Sequence, residues 1–241
     1  MNYYFITGSS RGIGKALSEI LLEDSRNMVC GLARSTSIQH ERYKHYKADL
    51  SDLKQLTEIL DDFFTIEQQP EQIILINNAG FLGEVGPLGK ISNESLITVF
   101  NINIIAPAML MNSFINKFKE TEAEKIIINI TSGAAQRAVA GWSGYCSSKA
   151  ALNMISEVAE NEADIHSNGT KIYALAPGVV DTEMQSEIRK VHKKDFDEVD
   201  RFINMYESGD LSDPEKTASQ ILYFIKNYRK FSHVIQDVRK F

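Results

Sequence analysis

Tyr145 and Lys149, in the segment "YCSSK", stand one helical turn apart if that segment is a helix. On one helix face, the lysine's charge would favour the phenolate over the phenol. A free tyrosine titrates near 10, too high for ready proton exchange at neutral pH; lowering by about 2–3 units would suit it to general acid–base work. Ser132 precedes Tyr145 by thirteen residues, at the end of the apolar run "KIIINIT". Its hydroxyl can donate to a carbonyl and help to hold a developing oxyanion. Such a set supplies what ketone reduction needs besides a hydride: a proton for the alkoxide. The same spacing recurs at Tyr43 and Lys47, in "YKHYK". There the alternating pattern reads as a strand, on which residues four apart lie about 13 Å from each other, against about 6 Å on a helix. Cys30 stands where the first pair has Ser132. Tyr145 is the candidate acid, and Tyr43 a structural residue.

A hydride source is suggested at the other end of the chain. "YYFITGSSRGIGKAL" reads as a strand, a glycine-rich turn and a helix start, with glycines at 8, 12 and 14. A pyrophosphate requires close backbone approach, free N–H donors and a helix N-terminus. Gly8, Ser10, Arg11, Gly12, Ile13 and Gly14 are the candidate residues. The spacing is GxxxGxG rather than GxGxxG, and a purely structural strand–helix turn is the alternative. An NAD site would place an acid about 20 residues on, for the ribose 2′-hydroxyl. Here the second apolar run ends at Ala33-Arg34-Ser35. Arg34 could pair with a 2′-phosphate, with Arg11 as a second cation, or be a solvated loop arginine. The absence of the acid favours NADP(H).

These groups need a scaffold at strand ends. The runs "YYFIT", "NMVCGLA", "QIILIN", "KIIINIT" and "KIYALA" read as buried strands. Helices are expected at about 12–24, 51–66, 93–119, 144–165 and 214–228. The alternation implies right-handed βαβ units and a Rossmann-type, doubly wound parallel sheet in one α/β domain over 1–241. Residues 176–213 form the longest irregular part. Val199, Phe202, Ile203 and Tyr206 have helical spacing within it, so a substrate flap at about 181–213, or a packed surface helix, is expected.

The chain has 241 residues, 43% hydrophobic, with a net charge of −6. That balance argues against nucleic acid or an anionic membrane as partner. No apolar run suggests a membrane span and the N-terminus has no signal-peptide pattern, so a cytoplasmic location is expected. Cys30 and Cys146 form no framework, and the histidines have no metal-ligand spacing, so no metal is expected.

The segments "TGSSRGIG", "ADLSD", "INNAG", "NIN", "INITS", "YCSSK" and "APGVVDT" occur in an order that resembles the short-chain dehydrogenase/reductase family, over residues 4 to about 184. The resemblance implies an oxidoreductase with Ser132 holding the carbonyl, Tyr145 donating the proton, and Lys149 tuning Tyr145 and binding the nicotinamide ribose. Asn103 would hold a relay water; its alternative is an asparagine that satisfies nearby backbone. Asp49 and Leu50 would lie beside adenine, and Asn78, Ala79 and Gly80 along its ribose. Val180 and Thr182, after Pro177-Gly178, would meet the carboxamide and phosphates, with helix capping a further role for Thr182. Family members commonly pair through the helices at 93–119 and 144–165, implying a homodimer or homotetramer.

"GWSGYCSSKAALNM" and "LAPGVVDTEMQ" resemble most the branch of sepiapterin reductases and benzil reductases, which reduce one carbonyl of a vicinal diketone with NADPH. Trp142 would offer an aromatic face beside Tyr145, or be ordinary packing; Met184, with Gln185, would line the flap side of the substrate. Sepiapterin reductases carry an aspartate after a C-terminal "HV", where this chain has Ile235, with Asp237 two residues on. An apolar diketone is therefore expected rather than a pterin. The alternatives are a 3-oxoacyl thioester reductase, a small-alcohol dehydrogenase, and a non-catalytic NADP-binding regulator.

Overall fold

The computed structural model describes residues 1–241. Seven strands form one parallel sheet: β1 (Asn2–Thr7), β2 (Asn27–Ala33), β3 (Tyr43–Lys47), β4 (Gln72–Asn77), β5 (Glu124–Ile130), β6 (Thr170–Ala176) and β7 (Ile235–Asp237), in the order β3-β2-β1-β4-β5-β6-β7. β1, β4 and β5 are almost wholly buried, as strands covered on both faces must be, and their sequences are near-continuous apolar runs. β3 is the exposed edge and alternates instead. The order reverses between β1 and β4, so the crevice for a ligand opens above their C-terminal ends.

Helices cover both faces. α1 (Gly12–Leu22) and α8 (Pro214–Asn227) enclose one apolar cluster with Leu17, Ile76, Ile128 and Phe224. α2 (Leu53–Phe63) and α4 (Ala106–Lys117) enclose the other, with Phe5, Leu75, Phe63 and Phe114. Their starts follow capping chemistry. The Asp52 carboxylate accepts from the N–H groups of Lys54 and Gln55, and Asp213 from that of Lys216, with Pro214 at the first helical position.

Between α3 (Asn93–Phe100) and α4 the helix widens into a π turn, Asn101–Ile105. Pro107 is the physical reason: it has no N–H to return to the carbonyl of Asn103, four residues earlier. The continuous helix Asn93–Lys117 is apolar enough to cross a membrane by length and composition; here Leu110, Met111 and Phe114 pack in the core beneath the sheet.

α5 (Ser143–Ile165) follows a short 3₁₀ turn, Gly133–Gln136. The expected irregular region holds two helices, α6 (Glu183–Arg189) and α7 (Val199–Glu207). The helical spacing of Val199, Phe202, Ile203 and Tyr206 matches α7; α6 was foreshadowed only by the possible cap at Thr182, and the short β7 was not expected. Both are brief: α6 is seven residues and β7 three, too few for a periodic signal.

Candidate functional site

A cavity of about 1620 Å³ runs along the C-terminal ends of the strands, larger than a typical single-ligand pocket. At one end Gly8, Ser10, Arg11, Gly12 and Ile13 form its wall. Gly8 (φ +67°) and Gly12 (φ +54°) hold left-handed backbone conformations, and a Cβ on Gly8 would stand 3.0 Å from the Ala79 Cα. Gly14 is not on the wall; a Cβ there would collide with the Gly8 carbonyl, so it allows α1 to pack close under the turn.

The two halves of the sheet are joined at the point of reversal by side chains. Thr7 Oγ1 accepts from the N–H groups of Asn78 and Ala79, each at 3.0 Å, and Asn78 Nδ2 donates to the carbonyls of Thr7 and Gly8. Asn78, Ala79 and Gly80 thereby continue the wall begun by the glycine turn. Arg34, Asp49 and Leu50 line the same end. Burial pushes the Asp49 carboxyl up, but the Ser51 N–H and hydroxyl, with the charge of Arg34, outweigh it and hold it below the usual range. A cradle of glycines at a helix N-terminus, opening on an arginine, fits the phosphates of a dinucleotide.

Ser132, Tyr145 and Lys149 line the middle of the cavity. Ser132 stands two residues beyond β5 and caps the 3₁₀ turn, its Oγ accepting from the N–H of Ala134 at 3.1 Å. Tyr145 opens α5 and is 8% exposed; Lys149 follows one turn later and is 3% exposed. The Lys149 ammonium lies 5.9 Å from the Tyr145 ring centroid and donates to the Ile130 carbonyl at 2.9 Å. Burial lowers Lys149 to about 8. Burial also pushes the Tyr145 phenol above its ordinary value, with the Ser132 hydroxyl drawing it back. Protein groups alone therefore do not supply the lowered phenol that the Tyr–Lys spacing suggested. Desolvation of the phenol is the largest cause of that rise.

Asn103 lies beside this set, its Oδ1 and the Lys149 Nζ at 3.9 and 3.6 Å from a Cβ position on Gly80. Its Oδ1 accepts from the Phe81 N–H at 2.8 Å, and its Nδ2 donates to the Phe81 carbonyl and to Ser148 Oγ. It is fully buried, and its side chain satisfies backbone, the alternative role expected for it. Thr182 occupies the cap position of α6 but makes no side-chain capping bond; its methyl instead faces Gly12. Pro177, Gly178, Val180 and Thr182 all line the cavity, and Val180 bridges to Ser212, which brings the two ends of the segment between them together.

The remaining end is aromatic. Trp142 meets Tyr145 edge-on with centroids 5.7 Å apart, stacks on Phe196 at 5.2 Å and tilts against Phe202 at 5.4 Å. It is thus both packing and wall. Met184 and Gln185 also line the cavity, from α6. Sequence reasoning missed Leu82, Ile188 and the tail residues Gln236 and Arg239, which reach the wall only through tertiary folding. Ile235 and Asp237 are there too, but Arg239 Nε donates to the Asp237 carboxylate at 2.9 Å, so that acid is already engaged.

Residues 2–193 match the family model described as short chain dehydrogenase. The chain belongs to the short-chain dehydrogenase family. It is therefore an oxidoreductase with a nicotinamide-nucleotide site. The benzil reductase ((S)-benzoin forming) of Bacillus cereus is 36% identical over 230 residues, covering 92% of each chain, and that of Bacillus subtilis (strain 168) is 32% identical over the full length of both. A sepiapterin reductase of Meriones unguiculatus is 27% identical over 95% of this chain and 94% of its own. Among solved structures, a short-chain dehydrogenase/reductase of Saccharomyces cerevisiae superposes with a TM-score of 0.84 at 24% identity, over 99% of this chain and 96% of that one. The enzyme shares that fold, and its relatives support a carbonyl reductase.

Proposed function

We propose that the enzyme is an NADPH-dependent reductase of one carbonyl of an apolar 1,2-diketone, with Tyr145 as proton donor. The observation that carries this reading is the meeting of Ser132, Tyr145 and Lys149 on the wall of a cavity that Trp142 and Phe202 also line, with Phe196 stacked on Trp142. When bound, the nicotinamide supplies a hydride to the carbonyl carbon. Ser132 orients the carbonyl by donating to its oxygen, and Tyr145 passes its phenolic proton to the same oxygen as charge develops there. Lys149 holds the ribose and favours the phenolate that remains. Asn103 acts at one remove, by fixing Phe81 and Ser148 beside the site. Arg34 and Arg11 favour a 2′-phosphate.

The aromatic wall supports an aryl substrate, since offset and edge-on ring contacts add to simple burial. The flap at about 181–213 contributes Met184 and Phe202 to this wall, and Phe196 backs Trp142. A pterin is disfavoured, because Ile235 cannot hydrogen-bond and Asp237 is paired with Arg239. The bacterial relatives named as benzil reductases support the same substrate class. We further propose a homodimer or homotetramer in the cytoplasm. Ile97, Phe100, Ile105, Met154 and Val158 form exposed apolar surface on α3, its π turn and α5, and both cysteines are free thiols.

The test is a substrate panel read by the loss of NADPH absorbance. Benzil and other 1,2-diketones should be turned over with NADPH and much more slowly with NADH. Turnover of 3-oxoacyl thioesters or small alcohols, with none of any diketone, would contradict the proposal.

A further inference from the structure

Three consecutive residues at the start of α6 reach across the nucleotide end of the cavity. Thr182 Cγ2 lies 3.3 Å from where a Cβ on Gly12 would stand. The Glu183 carboxylate pairs with the Arg11 guanidinium, in the glycine turn itself. Met184 Cε and Lys149 Nζ lie 3.9 and 3.6 Å from a Cβ position on Gly80. The segment thus touches the turn, its cation and the corner beside Lys149. Of the other acids on this side, Asp181 is paired with Arg189, and Asp49 is held down by Ser51 and Arg34. Glu183 is the carboxylate that Arg11 meets.

A carboxylate and a phosphate seek the same guanidinium fork, and Arg11 cannot present that fork fully to both. We infer that Glu183 is an internal competitor for Arg11, and that it sets how tightly, and how selectively, the enzyme takes a 2′-phosphorylated nucleotide. This rests on the NADP(H) reading of Arg11 and Arg34. Both partners are more than half exposed, at 63% and 56%, so solvent screens the pair and the effect is modest. Exposed pairs of this kind correspond to about a two- to fivefold change in binding.

Equilibrium titration of NADPH and NADH, read by nucleotide fluorescence, tests this without turnover. The proteins are native, Glu183→Gln, Arg11→Ala, the double variant and Arg34→Ala. Glu183→Gln should tighten NADPH about two- to fivefold and NADH less, with the gain shrinking at high salt. In the Arg11→Ala background the same change should have no effect. No gain, an equal gain for both nucleotides, or a gain that survives loss of Arg11 would each overturn the competition. Equal affinity for NADPH and NADH in native, Glu183→Gln and Arg34→Ala proteins alike would instead overturn the NADP(H) reading beneath it. A native preference for NADPH that Arg34→Ala removes, with no response to Glu183→Gln, would leave that reading intact and remove only the competitor.

Discussion

Tyr43 and Lys47 lie on β3 at the sheet edge, while Tyr145 and Lys149 lie on α5 above the crevice, with the same sequence spacing. On β3 the tyrosine turns inward, and its hydroxyl meets Ser9 Oγ at 2.9 Å, against the underside of the glycine turn. Its hydroxyl also occupies the space that a Cβ on Gly31 would need. Lys47 points to solvent. On α5 both side chains are buried, face the cavity and stand beside Ser132. The first pair braces a backbone, and the second presents a phenol and an ammonium to a ligand. What separates them is the element that carries them, since spacing means contact only where the chain winds.

The contrast can be broken or sharpened by substitution. The largest effect should fall on Tyr145→Phe, with kcat reduced by about a thousandfold, within the range general acids supply. Lys149→Met should follow, at about a hundredfold in kcat, and should also raise thermal stability near neutral pH. Burial holds this lysine at about 8, a cost to its charged form of about 3 kcal/mol relative to water. The folded pKa lies below the unfolded one, so the native protein binds fewer protons than the unfolded chain between about 8 and 10.5. This group therefore adds stability as pH rises through that window. Melting temperatures of the native protein and the methionine variant should converge there.

Phe202→Ala should raise the diketone KM by about tenfold while kcat falls less, since it removes a ring from the Trp142 wall rather than a reacting group. The smallest effect should be that of Tyr43→Phe. It should leave kcat within about twofold and weaken NADPH binding by a few fold, as expected for loss of one hydrogen bond to Ser9. A large fall in kcat for Tyr43→Phe would erase the distinction between the two pairs.

The five long strands and the α/β alternation were legible because each strand is an unbroken apolar run and each covering helix is amphipathic. The glycine turn was legible because a strand-to-helix turn at a phosphate restricts which residues fit, and Tyr145 with Lys149 because they stand one helical turn apart; Asn78 was expected only from the family resemblance. Other features depend on partners distant in sequence. The amide of Asn103 closes on Phe81, 22 residues away, a contact no local spacing announces. Phe202, Arg239 and Gln236 reach the cavity only once α7 and the tail around β7 have folded back over it. The pairing of Arg11 with Glu183 joins the first strand–helix turn to the last third of the chain, and no local pattern announces it. Tyr43 was correctly read as structural, but its bond to Ser9 lay beyond any periodicity.

The most direct test of Tyr145 as proton donor is a single-turnover measurement on Tyr145→Phe, with NADPH bound and benzil added. Bound NADPH should be retained at near-native affinity and remain unoxidised while the native enzyme and Tyr43→Phe complete their turnover. Oxidation by the Tyr145→Phe variant at a rate close to native would contradict the account.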